Sequence, residues 1–422
     1  MVRGSAALAL ASVIAMSTLA PANPSEERTV VVVLVDGFSG KLFESADTPV
    51  FDRLKREGVW SESLLPAFPS LSHTNWVSLS TGCWPERHGI VSNAFRIGES
   101  APDFETKMNA DTLLACQPIN EVAEAQGVHV AALGWSGARS KTRGDLASVV
   151  RSPFKDWTPE WDSKRAGQVV EQLDRRDPDR PRLVLAYFNG PDTTQHETGM
   201  YSEATRAAVE HTDMALGVIV DKLSAMSAER KVTLLVVTDH GMTMVDQMIN
   251  IAEILRRTGI GAKYISDGPL AFIHLDDPEQ REEAIRRLSG DPKFQVVLPE
   301  AQPRHWHLGS SRRVGDLIFY TRAPYFFPMD HDMPSWLPSY GRWWPEVVKV
   351  PQVLRPIGMH GYAVEDQPEM RGIFFAWGSG IAKPKNLETP VRAIDLHPTV
   401  AYLLGIHPGV PHDGIILEDV LQ

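Results

Sequence analysis

Three aspartates and three histidines stand beside glycines or turn formers just past short apolar runs. Asp36 follows the run in VVVLVDGF, and Asp192 and His196 lie in GPDTTQHETG. Asp239 and His240 are adjacent in LLVVTDHGM, and His360 sits in IGMHGYA. Singly, each has an ordinary explanation, because Asp after a strand commonly caps a helix or forms a turn and a lone His is most often a hydrogen-bonded core or surface residue. Together they form a ligand set of mixed carboxylate and imidazole, which suits divalent metals of borderline softness. Zn2+ fits best, with Mn2+ or Fe possible. Six ligands are enough for two ions. Two ions without a thiolate suit in-line displacement at phosphorus or sulfur. Such a site also needs a positioned Ser or Thr.

The stretch FPSLSHTNWVSLSTGCWPERHGI, residues 68–90, offers two nucleophiles. Cys83 begins C-x-P-x-R, a pattern similar to the nucleophile segment of sulfatases. Ser72 lies eleven residues upstream.

The elements that must position these residues are legible as short, continuous apolar runs: Val30–Val35, Val128–Leu133, Leu183–Phe188, Val232–Val237, Leu317–Tyr320 and Ile373–Trp377. Continuity rather than alternation predicts strands buried on both faces. Helical patterns separate them over Thr48–Gly58, Asn120–Gly127, Asp162–Leu173, Ser202–Met226 and Asp395–Leu404. Alternation of this kind predicts an α/β fold with a mostly parallel central sheet flanked by helices on both faces. Ligand groups in such sheets sit past the carboxyl ends of the strands, which is where the six Asp and His residues fall. The spacing of Asp192 and His196 puts both on one face of a helical turn.

Residues 243–355 break the rhythm and read as a cap-like insertion in a single catalytic domain spanning 28–422. The Pro- and Trp-rich part from Ala323 to Pro356 reads as loop. Its aromatics (Tyr325, Phe326, Phe327, Trp336, Trp343 and Trp344) either shape a substrate pocket or pack the cap onto the core.

Composition narrows the class. With 43% hydrophobic and 23% charged residues the chain is globular rather than disordered. A net charge of −11 without a basic run argues against specific nucleic-acid binding. Arg3, the apolar run Ala6–Ala20 and Ala20-Pro21-Ala22 have the layout of a secretory signal peptide over residues 1–22. The run is too short for a transmembrane anchor. The expected location is outside the cytoplasm, periplasmic or secreted. There Cys83 and Cys116, the two cysteines of the chain, could form a disulfide; sequence sets no distance between them.

Several segments resemble the alkaline phosphatase superfamily, most closely its nucleotide pyrophosphatase/phosphodiesterase family. They are VDGF, FPSLSHTNW with STGCWPERHGIVSN, PDTTQH, TDHGM and MHGY, followed by RRVGDLIF and IDLHPTVAYLLGI with HDGIIL. The resemblance implies one zinc site from Asp192, His196 and His360, and a second from Asp36, Asp239 and His240. The family nucleophile lies nine residues before the Thr of a Thr-Gly pair, which points to Ser72 from Thr81. It also lies 21 residues before an Asn that hydrogen-bonds the phosphoryl oxygen, which points to Asn93. Cys83 follows Thr81-Gly82 and is out of register for a sulfatase nucleophile. The implied reaction passes through a covalent phosphoseryl intermediate on a small-molecule phosphodiester. The family usually has Thr where this chain has Ser72, and commonly Phe where it has His73. His73 is therefore a candidate substrate contact that puts nucleotide preference in question. No Arg flanks Ser72, which favours diesters. Phosphomonoester or phosphonate hydrolysis is the alternative, and a metal-binding non-enzyme the remote one.

Overall fold

The computed structural model describes residues 28–153, 158, 160–227, 230–328, 345, 347–349 and 357–422. The predicted signal segment, Trp336, Trp343 and Trp344 lie outside these residues.

Among the described residues a nine-stranded sheet forms the centre. Its order is Lys385–Asn386, Val59–Leu65, Gly372–Gly378, Lys231–Thr238, Arg28–Val35, Leu183–Phe188, Val130–Leu133 and Val149–Arg151, with Val391–Arg392 also paired to Val59–Leu65. The middle strand shows why an unbroken apolar run was needed. Val30, Val32 and Leu34 point into one core, with the helices Ser72–Thr81, Ile119–Glu124 and Leu396–Leu404. Val31, Val33 and Val35 point into another, with Pro49–Glu57, Glu160–Leu173 and Glu203–Met226. Each fully buried valine contributes about 1.5–3 kcal/mol relative to exposure, so a charge at Val33, which is 0% exposed, would break the layer. The fold is the expected α/β arrangement.

Register turns sequence positions into a site. Arg28–Val35 runs parallel to both neighbours, with Val35 opposite Thr238 on one side and Phe188 on the other. Asp36 and Asp239, each one residue further on, therefore emerge side by side. Phe188 leads into Asn189-Gly190-Pro191 and then the helix Asp192–Thr198.

Two expectations need correction. The run Ile373–Trp377 forms Gly372–Gly378, but this strand is antiparallel to both neighbours. The chain reaches it from His360, at the carboxyl edge of the parallel strands, and so must run back through the sheet. Leu317–Tyr320 is a strand, Leu317–Thr321, but belongs to a separate antiparallel sheet ordered Ala262–Asp267, Leu270–Leu275, Leu317–Thr321, Phe294–Val297. A continuous apolar run shows burial, not which sheet buries it. This second sheet and the helices Ile251–Thr258 and Arg281–Leu288 share a core of their own. Tyr325–Phe326 pairs with Gln247–Ile249. Phe326 and Phe327 are buried in apolar clusters, so these two aromatics pack a core rather than line a pocket.

Candidate active site

Five chain segments meet at the carboxyl ends of the parallel strands. Gly37, with φ +66°, makes one approach possible: a Cβ there would lie 2.8 Å from Asp192 Cβ. The loops bearing Asp36 and Asp192 can touch because that position has no side chain.

The three histidines are oriented alike. His196 Nδ1 donates to the Gly358 carbonyl at 2.8 Å, His240 Nδ1 to the Gly241 carbonyl at 2.9 Å, and His360 Nδ1 to the Ser70 carbonyl at 3.0 Å. A carbonyl can only accept, so Nδ1 carries a proton in each ring, and it is Nε2 that is left to face the site. Those Nε2 atoms face carboxylate oxygens. His240 Nε2 is 3.4 Å from Asp36 Oδ1 and 3.5 Å from Asp239 Oδ2. Asp192 Oδ1 is 3.6 Å from His196 Nε2 and 3.8 Å from His360 Nε2. A nitrogen facing a carboxylate oxygen at this distance is repulsive unless a proton or a metal cation lies between. Two ligands of a tetrahedral zinc with bonds of about 2.0–2.2 Å are themselves about 3.4 Å apart, close to these separations. Asp36 Oδ1 and Asp192 Oδ1 are also buried and accept no hydrogen bond. The residues fit divalent cations.

Ligand atoms of Asp192, His196 and His360 lie within 4.8 Å of one another, and so do those of Asp36, Asp192 and His240. Asp192 thus stands at the seam of both groups instead of in one. Asp239, expected with Asp36 and His240, lies beside them, its Oδ2 3.5 Å from His240 Nε2. Its Oδ1 accepts from Gly37 N at 3.2 Å and His240 N at 2.9 Å, and its Oδ2 from Trp76 Nε1 at 2.7 Å.

Electrostatics suit a cation. Burial pushes the Asp36 carboxyl well above the usual carboxylate range, and the charges of Asp239 and Asp192 add to it. Asp239 is raised by burial as well, against the pull of His240. Burial, then His240 and His196, hold His360 well below the usual imidazole value. Neutral imidazoles are what a metal requires.

Ser72 begins the ten-residue helix Ser72–Thr81, with its Oγ 3.0 Å from His240 Nε2. A helix amino end favours the negative charge of an alkoxide or phosphoryl group. Asn75 ties down the approach, accepting from Ala67 N at 2.7 Å and donating to the carbonyls of Ala67, Pro69 and Leu71 at 3.1 Å each. The Thr81-Gly82 landmark is the end of this helix, where Gly82 takes the left-handed φ of +67°. Asn93 Oδ1 accepts from His73 N at 2.8 Å, which leaves its amide hydrogens to donate elsewhere. The Lys107 ammonium donates to the Asn93 carbonyl. His73 is buried and packs edge-on against Trp76, 5.0 Å between ring centres. Burial, reinforced by Lys107, keeps its ring neutral.

Cys83 is bonded to Cys116, with the Cα atoms 6.7 Å apart. A cysteine held in a disulfide is no nucleophile, so CWPER is structural.

Sequence reasoning missed the residues that hold this set in place. The Tyr187 hydroxyl donates to Asp36 Oδ2 at 2.6 Å. Asp162 accepts from Asn189 N at 2.7 Å and Gly190 N at 3.2 Å, shaping the turn before Asp192. Asp267 accepts from Ser92 Oγ at 2.5 Å, Asn93 N at 2.8 Å and Ala94 N at 3.2 Å. None has a local spacing signal, because each partner is at least 27 residues away.

The chain is similar to known proteins. The type I phosphodiesterase / nucleotide pyrophosphatase family matches residues 30–363. An uncharacterized pyrophosphatase/phosphodiesterase of Schizosaccharomyces pombe is 26% identical over 92% of this chain and 79% of its own. Human ectonucleotide pyrophosphatase/phosphodiesterase family member 7 is 26% identical over 96% of this chain and 87% of its own. Among solved structures, murine ectonucleotide pyrophosphatase/phosphodiesterase 5 superposes with a TM-score of 0.79 at 24% identity, covering 93% of this chain and 100% of its own. The chain is a hydrolase of phosphoric ester bonds and belongs to the type I phosphodiesterase / nucleotide pyrophosphatase family.

Proposed function

We propose that the protein is an exported, two-zinc enzyme that cleaves phosphodiester or pyrophosphate bonds of nucleotides, or of related small phosphodiesters, through a phosphoseryl intermediate. The observation that carries this reading is the convergence of three imidazole Nε2 atoms and two unpartnered carboxylate oxygens beside the Ser72 hydroxyl. Asp192, His196 and His360 would hold one ion, and Asp36, Asp239 and His240 the other, with Asp192 close to both. Bound zinc (or Mn2+ or Fe) would lower the pKa of the hydroxyl and stabilise developing negative charge. Ser72 attacks phosphorus opposite the leaving oxygen, and a P–O bond forms as the leaving P–O bond breaks. The Asn93 amide donates to a non-bridging oxygen while charge builds there. Water then cleaves the serine ester and frees Ser72.

His73, neutral and backed by Trp76, offers its ring to the substrate. A nucleotide substrate is supported by the murine neighbour, an inactive variant of which has been solved in complex with AMP. Export is supported by the signal-like start and by the Cys83–Cys116 disulfide, which suits an oxidising compartment. Among the described residues no helix is long and apolar enough to cross a membrane. We read 28–422 as one catalytic unit with 243–355 inserted.

The test compares zinc-loaded protein with Ser72→Ala on p-nitrophenyl thymidine monophosphate, bis-p-nitrophenyl phosphate, p-nitrophenyl phosphate and p-nitrophenyl sulfate. Diester turnover should need zinc and fall a thousandfold or more, by order of magnitude, in Ser72→Ala. Faster monoester turnover would give a phosphomonoesterase instead, and full activity in Ser72→Ala would remove Ser72 from the reaction.

A further inference from the structure

We infer that Trp76 is a positioning residue whose indole N–H locks the nucleophile helix onto Asp239 and thereby sets the metal affinity of the site. The inference rests on the reading of Asp239 and His240 as metal ligands. Ser72 and Trp76 are four apart on one helix, so they share a face. Asp239 and His240 are consecutive at the tip of Lys231–Thr238. The two pairs meet atom to atom: Ser72 Oγ lies 3.0 Å from His240 Nε2, and Trp76 Nε1 donates to Asp239 Oδ2 at 2.7 Å. A helix held at two points one turn apart can neither slide nor rotate. Without the indole, Ser72 would be fixed to the strand tip by its own contact with His240.

The chemistry of the donor matters. Asp239 Oδ1 is occupied by two backbone N–H groups, so the side-chain donor to Oδ2 decides how the carboxylate turns. An indole donates without carrying charge. It orients Asp239 and leaves its full negative charge for a cation, where a Lys or Arg would compete with the ion. Trp76 is 5% exposed and Asp239 is 0% exposed, so water does not readily replace the bond. The ring is itself held edge-on by Tyr187, 4.9 Å between centres, and Tyr187 donates to Asp36. Trp76 thus couples the serine helix to carboxylates on two strands.

The experiment measures zinc affinity by chelator competition, apo melting temperature, and kcat and KM for a diester. It uses wild type, Trp76→Phe, Trp76→His and Asp239→Ala. Phe keeps an aromatic ring without the donor; His restores an N–H at nearly the same reach. Trp76→Phe should bind zinc about ten- to a hundredfold more weakly and lose kcat with KM little changed, and Trp76→His should recover most of both. Trp76→Leu makes the same deletion if the Phe variant does not fold. Wild-type zinc affinity in Trp76→Phe, or equal loss in the His and Phe variants, would overturn the inference and leave Trp76 a packing residue. Asp239→Ala separates the two levels: if it alone weakens zinc, the ligand reading stands and Trp76 fails. If it binds zinc as wild type does, the ligand reading is what fails.

Discussion

At Asn93 one end of the side chain is held and the other is left to donate. Its Oδ1 is held by the His73 backbone N–H, so the amide group has a fixed direction before any substrate arrives. Preorganised donors of this kind are worth about two to three orders of magnitude in rate. Asn93→Ala should therefore lower kcat about 10²- to 10³-fold with zinc content unchanged, as read by steady-state kinetics beside metal analysis. A matching fall in zinc content would mean that Asn93 supports the ligands instead. The histidines show the same economy: each gives Nδ1–H to a carbonyl and turns Nε2 toward a carboxylate oxygen.

Among elements, the second sheet has a part in the site although it supplies none of the six Asp and His residues. Asp267, the last residue of Ala262–Asp267, gathers Ser92, Asn93 and Ala94 onto one oxygen. The second sheet thereby holds the loop that bears Asn93. Asp267→Ala would strand buried donors, at about 1–3 kcal/mol for each left unpaired. It should also cost about a hundredfold in kcat, since misplacement by about 1 Å has that effect. Zinc affinity should stay at the wild-type level, because no ligand is touched. Kinetics, chelator competition and a urea melt read the three quantities separately, and unchanged kcat in a destabilised protein would make Asp267 purely structural.

For the molecule as a whole, stability and metal content should be linked. Three carboxylates, Asp36, Asp192 and Asp239, are gathered at one end of the sheet, and a bound cation stabilises the folded state that gathers them. Free zinc at about a thousand times its Kd should add about 4 kcal/mol, seen as a higher urea midpoint that EDTA reverses. An EDTA-insensitive midpoint would argue against zinc in this site. The Cys83–Cys116 disulfide spans 33 residues and ties the segment after the nucleophile helix to the loop ahead of Ile119–Glu124. Cys116→Ser should cost about 2–5 kcal/mol in the same assay, with kcat little changed at a temperature where the variant is folded.

Sequence by itself determined which residues are candidates for chemistry and most of the scaffold. Asp36, Asp239 and His240 are legible because each follows a run of apolar residues long enough to be a strand, and strand tips are where α/β sheets place ligands. Asp192 and His196 are legible because helical periodicity is local. The tertiary structure decided what depends on contacts distant along the chain. The strand Gly372–Gly378 reverses direction, and Leu317–Thr321 joins another sheet, because an apolar run specifies burial but no partner. Asp192 stands between both ligand groups because two loops close over Gly37. Trp76 reaches Asp239 across 163 residues and Tyr187 reaches Asp36 across 151. Each of these is a bond between a donor and an acceptor that no local period relates, so only the folded chain brings them within reach.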